Sequence, residues 1–149
     1  MTLRAIAIAA LFAGPMLLAD DVDDRSKLMG KWELQKAPHS DKTPVWVVED
    51  ILKNKDEFIH ITRSVGGQTV SDFECNVGLE CAVKDAGKAA KVMMYFNGAR
   101  LVETETKGNE VVKRRFTIAS NDDTLEVEVM RVVPAGDTEK LVFKRLAAK

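Results

Sequence analysis

The sequence predicts an all-β domain in which an antiparallel up-and-down meander of about eight to nine strands closes into a barrel or half-barrel. Two observations support this prediction. Residues that favour turns recur about every 9–14 positions, and the short segments between them alternate apolar with polar side chains. A polar residue at every second position indicates a sheet that is covered on one face only.

Eight turn signals divide the chain. Gly, Asn and Asp predominate in them because these residues tolerate positive φ or bond their own backbone. Asn97-Gly98 is the strongest signal, since this dipeptide is typical of a two-residue hairpin turn. The other signals lie at residues 54–56, 66–67, 76–78, 85–87, 107–109, 121–123 and 134–137.

The segments between the turns have the pattern of strands. A short helix or turn in Asp21–Met29 leads into a first strand over Leu28–Leu34. Val45–Lys53 fits a strand and a helix, and the preceding Pro44 together with its β-branched residues favours the strand. Period-two alternation is clearest near the C-terminus, in Glu110–Ala119, Thr124–Val133 and Leu141–Arg145.

A meander of this length has two edge strands that need protection, and closing the sheet into a barrel removes both edges. A two-sheet sandwich is the alternative architecture. The consecutive hairpins favour the barrel, because a sandwich usually needs longer connections between its sheets.

Residues 1–19 have the features of a secretory signal peptide. Arg4 precedes an apolar run that ends at Ala19, and Asp20 follows. The run is shorter than the roughly 20 residues that a membrane-spanning helix needs. We therefore expect cleavage after Ala19 and export to the periplasm or the medium, without stable membrane insertion. The mature protein is then one domain, residues 20–149.

The two cysteines are Cys75 and Cys81, which enclose a short segment. In an exported protein such a pair is expected to form a disulfide bond. The alternative, a metal site, needs further Cys or His ligands nearby, and the sequence offers none.

Composition excludes several classes of function. The 22 basic and 23 acidic residues give a net charge of −1, which does not favour nucleic-acid binding. The two histidines, His39 and His60, lie in different segments without a nucleophile motif or a metal-ligand spacing. No phosphate-binding or dinucleotide-binding motif is present. We therefore expect no catalysis, no cofactor and no metal.

The first predicted strand contains Gly30-Lys31-Trp32, and the chain ends in hairpins that finish with Leu141-Val142-Phe143-Lys144-Arg145. This arrangement resembles the Gly-x-Trp opening and last hairpins of lipocalins and the wider calycin group, which includes fatty-acid-binding proteins. The chain also resembles small exported lipocalin-like proteins of bacteria. The resemblance implies a barrel with an internal apolar cavity, in which Trp32 packs at the closed end against Arg145.

Three arginines share a strand face with apolar residues: Arg114, Arg131 and Arg145. A buried guanidinium is costly unless it is paired. One interpretation is a clamp inside the barrel for a ligand carboxylate, because arginine binds carboxylates bidentately. The other interpretation is structural, with the side chains reaching the rim or pairing with Glu103 or Glu105.

Trp46, Phe58 and Tyr95 are the aromatic candidates for lining a ligand cavity, although aromatic residues on strands also serve as plain core. Together these features predict an exported, non-catalytic protein that binds a small hydrophobic or amphipathic ligand, of which a fatty acid is one example. The alternative is an envelope interaction or inhibitor module whose disulfide-closed loop contacts a protein partner of unknown identity.

Overall fold

The computed structural model describes residues 24–35 and 43–147, so the expected signal peptide lies outside the described residues. Within this part of the chain, ten antiparallel strands close into one barrel. The strands are β1 Gly30–Leu34, β2 Pro44–Lys53, β3 Asp56–Val65, β4 Gln68–Asn76, β5 Glu80–Asp85, β6 Lys88–Asn97, β7 Arg100–Lys107, β8 Glu110–Ile118, β9 Thr124–Val133 and β10 Thr138–Arg145.

The strand number corrects the expectation of eight to nine. The eight turn signals separate the nine strands from β2 to β10. β1, which the sequence predicts within Leu28–Leu34, precedes them and brings the number to ten. The segment Val45–Lys53, for which Pro44 and the β-branched residues favoured a strand over a helix, lies in strand β2.

The barrel closes where its first and last strands meet. Each strand pairs with its neighbour in sequence, and β1 also pairs with β10. Trp32 of β1 lies opposite Trp46 of β2 on one side and opposite Arg145 of β10 on the other. No sheet edge is left in the described barrel, except where β4 and β5 separate, as described below.

The barrel has two different ends. A helical turn at residues 24–26 and the start of β1 lie at one end, called here the helix end. The turns at residues 66–67, 86–87 and 108–109 lie at the opposite end, called here the mouth. No helix among the described residues is long and apolar enough to cross a membrane.

The helix-end half of the interior is filled by apolar side chains. A side chain with no exposure touches no space large enough for water, so the interior here is close-packed and dry. The residues at 0% exposure on this side include Trp32, Ile59, Ile61, Val92, Met94, Leu101, Leu125, Val127 and Phe143.

Arg145 and Trp32 close the helix end. The Arg145 guanidinium lies 4.1 Å above the Trp32 ring and donates hydrogen bonds to the carbonyls of Met29 (2.8 Å) and Lys27 (2.6 Å). Gly30 has a φ of 134°, and a Cβ at this position would lie 2.7 Å from Arg145 Nη1. Gly30 is therefore required both for its backbone conformation and for the approach of the arginine.

β4 and β5 are paired only near the mouth and lie apart towards the helix end. They pair at a single position, Ser71 opposite Asp85, whereas β3 and β4 pair along most of their length. The Cys75–Cys81 disulfide joins the two strands nearer the helix end, where the ladder is absent. The predicted disulfide thus takes the place of hydrogen bonds in the barrel wall.

We expect Cys75→Ala/Cys81→Ala to lower the free energy of unfolding by about 2 kcal/mol, the chain-entropy value for so short a loop. Urea unfolding monitored by circular dichroism measures this change. A reductant is expected to destabilise the wild-type protein by a similar amount and to leave the double variant unchanged. An unaltered midpoint in the double variant would contradict the prediction.

Candidate functional site

The mouth half of the interior contains charged and polar side chains instead of apolar ones. They project inward from strands β3, β4, β5, β7 and β8 and together form what we call the interior ion cluster. Its members are Arg63, Ser71, Asp85, Glu103, Glu105, Lys107 and Arg114.

Glu103 is the deepest member of the cluster and has no exposed surface. Arg63 Nη2 donates to both of its carboxylate oxygens, at 2.9 and 2.7 Å, and Arg114 Nη1 donates to Oε1 at 2.7 Å. Burial alone would raise the pKa of Glu103, but the charges of Arg63 and Arg114 outweigh it and hold the pKa below its usual value. Glu103 is therefore an ionised carboxylate between two arginines.

Asp85 and Glu105 form the outer part of the cluster. Lys107 Nζ lies 2.5 Å from Asp85 Oδ2, and Arg114 Nη2 lies 3.4 Å from Glu105 Oε1. Burial opposes ionisation of Asp85, yet Lys107, the nearby Ser71 and Glu105 side chains and the charge of Arg63 lower its pKa well below the usual range. Burial raises the pKa of Glu105, and the neighbouring charge of Asp85 raises it further. Of the two carboxyls, Glu105 therefore takes up a proton first.

Three buried polar atoms of the cluster have no hydrogen-bond partner among the described residues. They are Arg63 Nε, Ser71 Oγ and Glu105 Oε2. Ser71 lies directly opposite Arg63 in the β3–β4 register. A buried polar atom without a partner costs about 1–3 kcal/mol, so a water molecule or a polar group of a ligand beside these atoms would be stabilising.

The remaining strands give the mouth an apolar wall. Leu34, Trp46, Val129 and Leu141 project from the contiguous strands β9, β10, β1 and β2 and pack against the core. The Trp46 ring lies 4.6 Å from that of Phe143, and the Arg63 guanidinium lies 4.8 Å above the Trp46 ring. The mouth therefore has a polar arc on one side and an apolar arc on the other.

The predicted site residues divide between these surroundings. Arg114 and Trp46 lie inside the barrel, and Arg114 makes the pairing with Glu103 and Glu105 that was one of its two interpretations. Arg145 lies at the helix end, where backbone carbonyls occupy its guanidinium. This position matches the packing against Trp32 that the family resemblance implies, and it lies away from the interior ion cluster.

The other three predicted ligand contacts lie outside the interior of the barrel. Phe58 and Tyr95 face outward. Their sequence neighbours Ile59 and Met94 point into the core, and successive residues of a strand point to opposite faces of the sheet. Lys53 covers the Phe58 ring from outside, at 5.1 Å. Arg131 has the inward parity of β9 but is exposed, because it lies near the end of the strand at the mouth.

Sequence reasoning missed four members of the cluster: Arg63, Ser71, Asp85 and Lys107. Arg63 follows Ile59 and Ile61 at alternate positions of β3, the same signal that singled out Arg114. Its contact with Glu103 spans 40 positions, which alternation alone does not predict.

His60 lies on the outer face of the barrel, between two carboxylates from the neighbouring strands. Its Nδ1 is 3.0 Å from Glu49 of β2 and its Nε2 is 2.5 Å from Asp72 of β4. Partial burial lowers the pKa of His60, but the hydrogen bonds with Asp72 and Glu49 outweigh it, so the pKa lies above 6.5. No group of three metal-ligating residues is placed to hold a metal ion in residues 24–35 and 43–147.

We expect His60 to make stability depend on pH. Because its pKa is higher in the folded than in the unfolded state, its contribution is fully present below about pH 6.5 and is lost as the pH rises through the folded pKa. Urea midpoints measured from pH 5 to 9 should fall across this range less steeply in His60→Asn than in the wild type. Equal slopes would contradict the prediction.

The closed ten-stranded antiparallel meander is the fold of solved fatty-acid-binding proteins. No family model matches the sequence, and no curated protein matches it. Solved structures match over most of their length, at identities that establish the fold alone.

Three of these structures illustrate the likeness. Fatty-acid-binding protein 1 of Echinococcus granulosus has a TM-score of 0.66 and 9% identity, over 82% of this chain and 99% of that one. Secretory abundant heat soluble protein 4 of Ramazzottius varieornatus has a TM-score of 0.62 and 17% identity, over 82% and 96%. The Schistosoma mansoni fatty-acid-binding protein, solved with arachidonic acid, has a TM-score of 0.59 and 16% identity, over 83% and 99%.

Proposed function

We propose that this protein is a non-catalytic binding protein for a small amphipathic ligand held at the mouth of the barrel. The observation that carries the proposal is the division of the mouth into two arcs. The polar arc offers three buried atoms without partners, and the apolar arc offers Leu34, Val129 and Leu141 beside Trp46. A ligand with a polar head and a short apolar part fits this division.

The depth of the site follows from the packing. Since the helix-end half is filled by side chains, a ligand occupies the mouth half and does not reach Trp32. Side-chain exposure falls from 25% at Lys107 to 15% at Arg114 and 8% at Arg63, so Lys107 is the member of this series most accessible to solvent.

Displacement of the neutral dye Nile red by twelve-carbon amphiphiles tests the proposal. Leu141→Gln places an amide on the apolar arc and is expected to weaken binding about tenfold, equivalent to about 1.4 kcal/mol. Val142→Gln is the matched control, because Val142 is the adjacent residue and points outward. A folded wild-type protein that binds neither the dye nor any of the amphiphiles would rule the function out.

Export to the periplasm or the medium is part of the proposal. It is supported by the signal-like composition of residues 1–19 and by the Cys75–Cys81 disulfide, a bond that persists in oxidising compartments. Mass spectrometry of the protein from its own cells tests it, with an N-terminus at Asp20 as the expected result. An intact N-terminus would contradict it.

The second candidate function is a protein-interaction module, favoured by one observation. Leu79 lies in the disulfide-closed segment and is 58% exposed. A closed loop loses less entropy on binding than a free one. Leu79→Ser would then reduce capture of an envelope partner without lowering stability, and an unchanged set of captured proteins would exclude this role.

A further inference from the structure

We propose that the head group of the ligand is neutral and both donates and accepts hydrogen bonds, as a hydroxyl or an amide does, rather than a carboxylate. This inference rests on the proposed function and specifies its ligand class. It follows from the charges and the unpartnered atoms of the interior ion cluster, taken together.

The cations of the cluster already have acidic partners. Arg63 and Arg114 share Glu103, at 2.7 Å each, and Lys107 contacts Asp85 at 2.5 Å. Three cations therefore face three carboxyls, counting Glu105. The protein's own Glu103 occupies the place between two arginines that a bound carboxylate would take.

Adding an anion to the cluster is energetically costly. A carboxylate ligand would be the fourth acidic group of the cluster and would have to displace Glu103 from its arginines or lie close to Asp85 and Glu105. A displaced Glu103 would remain fully buried with fewer partners, and a buried carboxylate without partners is strongly unfavourable. A neutral head group avoids this cost.

The buried atoms without partners match the hydrogen-bonding pattern of a neutral group. Arg63 Nε donates a hydrogen bond, the Ser71 hydroxyl donates and accepts, and Glu105 Oε2 accepts when ionised and donates when protonated. All three residues are more than nine-tenths buried. A hydroxyl or amide supplies a donor and an acceptor at once, so it satisfies this mixed set better than an acceptor-only carboxylate does.

The wild-type experiment compares four ligands with the same twelve-carbon chain: 1-dodecanol, dodecanamide, laurate and dodecylammonium. Nile red displacement at pH 8 is expected to show the alcohol and the amide binding at least tenfold more tightly than either ion. If laurate or dodecylammonium binds as tightly, the inference is overturned while the proposed function stands. If none of the four binds, the proposed function itself fails.

A variant experiment tests the charge argument directly. Glu103→Gln leaves Arg63 and Arg114 with one carboxylate fewer, so laurate is expected to gain at least tenfold in affinity relative to dodecanol. Glu105→Gln removes the same charge from a more accessible position with an open oxygen, and provides the test if Glu103→Gln does not fold. An unchanged laurate-to-dodecanol ratio in the folded variants would overturn the inference.

Glu128→Gln is the matched control for these variants. Glu128 lies on the outer face of β9, where it contacts Arg115 at 3.6 Å and remains 45% exposed. It changes the net charge of the protein by the same amount without altering the interior. A shift of the ratio in this control as large as in Glu103→Gln would assign the effect to overall charge and overturn the inference.

Discussion

Replacing Glu103 with leucine is expected to lower the free energy of unfolding by about 3–5 kcal/mol, which is a large part of the stability of a domain of this size. The variant removes the carboxylate that pairs with Arg63 and Arg114 and leaves both guanidinium groups in the interior. Thermal unfolding should show a midpoint lower by roughly 10–20 °C.

A triple variant distinguishes the cost of leaving two arginines unpaired from the cost of losing the Glu103 side chain itself. Arg63→Met/Glu103→Leu/Arg114→Met removes all three charges and is expected to recover most of the stability, because well-packed apolar residues often replace a buried ion network without cost. Glu128→Ala, on the outer face, should change stability by less than about 1 kcal/mol. Equal losses in the single and the triple variant would contradict the pairing argument.

Replacing Arg145 with methionine is expected to cost about 2–3 kcal/mol. The variant retains a long apolar side chain but removes the hydrogen bonds to the carbonyls of Met29 and Lys27 and the contact with the Trp32 ring. The fluorescence of Trp32 should also change, because its charged neighbour is lost.

Lys144→Met is the control for Arg145→Met, since Lys144 is the preceding residue of β10 and its side chain is exposed. It should change the free energy of unfolding by less than about 0.5 kcal/mol. If the two variants unfold at the same urea concentration, Arg145 does not stabilise the helix end as described.

The alternation of side chains predicted which face of a strand a residue occupies, and it did so well for Arg114 and Trp46. It also contained the information that Tyr95 faces outward, because Met94 beside it belongs to the core. Treating Tyr95 as a cavity residue gave aromatic character more weight than strand parity.

Alternation predicts which face of the sheet a residue occupies, but not its position along the barrel axis. The incorrect placements of Arg131 and Arg145 have this cause. Arg131 and Arg145 both have inward parity, yet one lies at the mouth and the other at the opposite end. Depth depends on the stagger between strands, which only the assembled sheet defines. The interior ion cluster could not be predicted for the same reason. Glu103 and Arg63 meet across the barrel from strands that are not neighbours.

The pairing of β1 with β10 has a consequence for how the chain folds. Every other strand pair is a hairpin between consecutive segments, so its contacts are local and form with a small loss of chain entropy. The hydrogen bond from Arg145 to the Met29 carbonyl joins positions 116 residues apart. Such a contact raises the contact order, which slows folding, and places closure of the seam after formation of the hairpins. We therefore expect the pairing of the first strand with the last strand to be the step that completes the barrel.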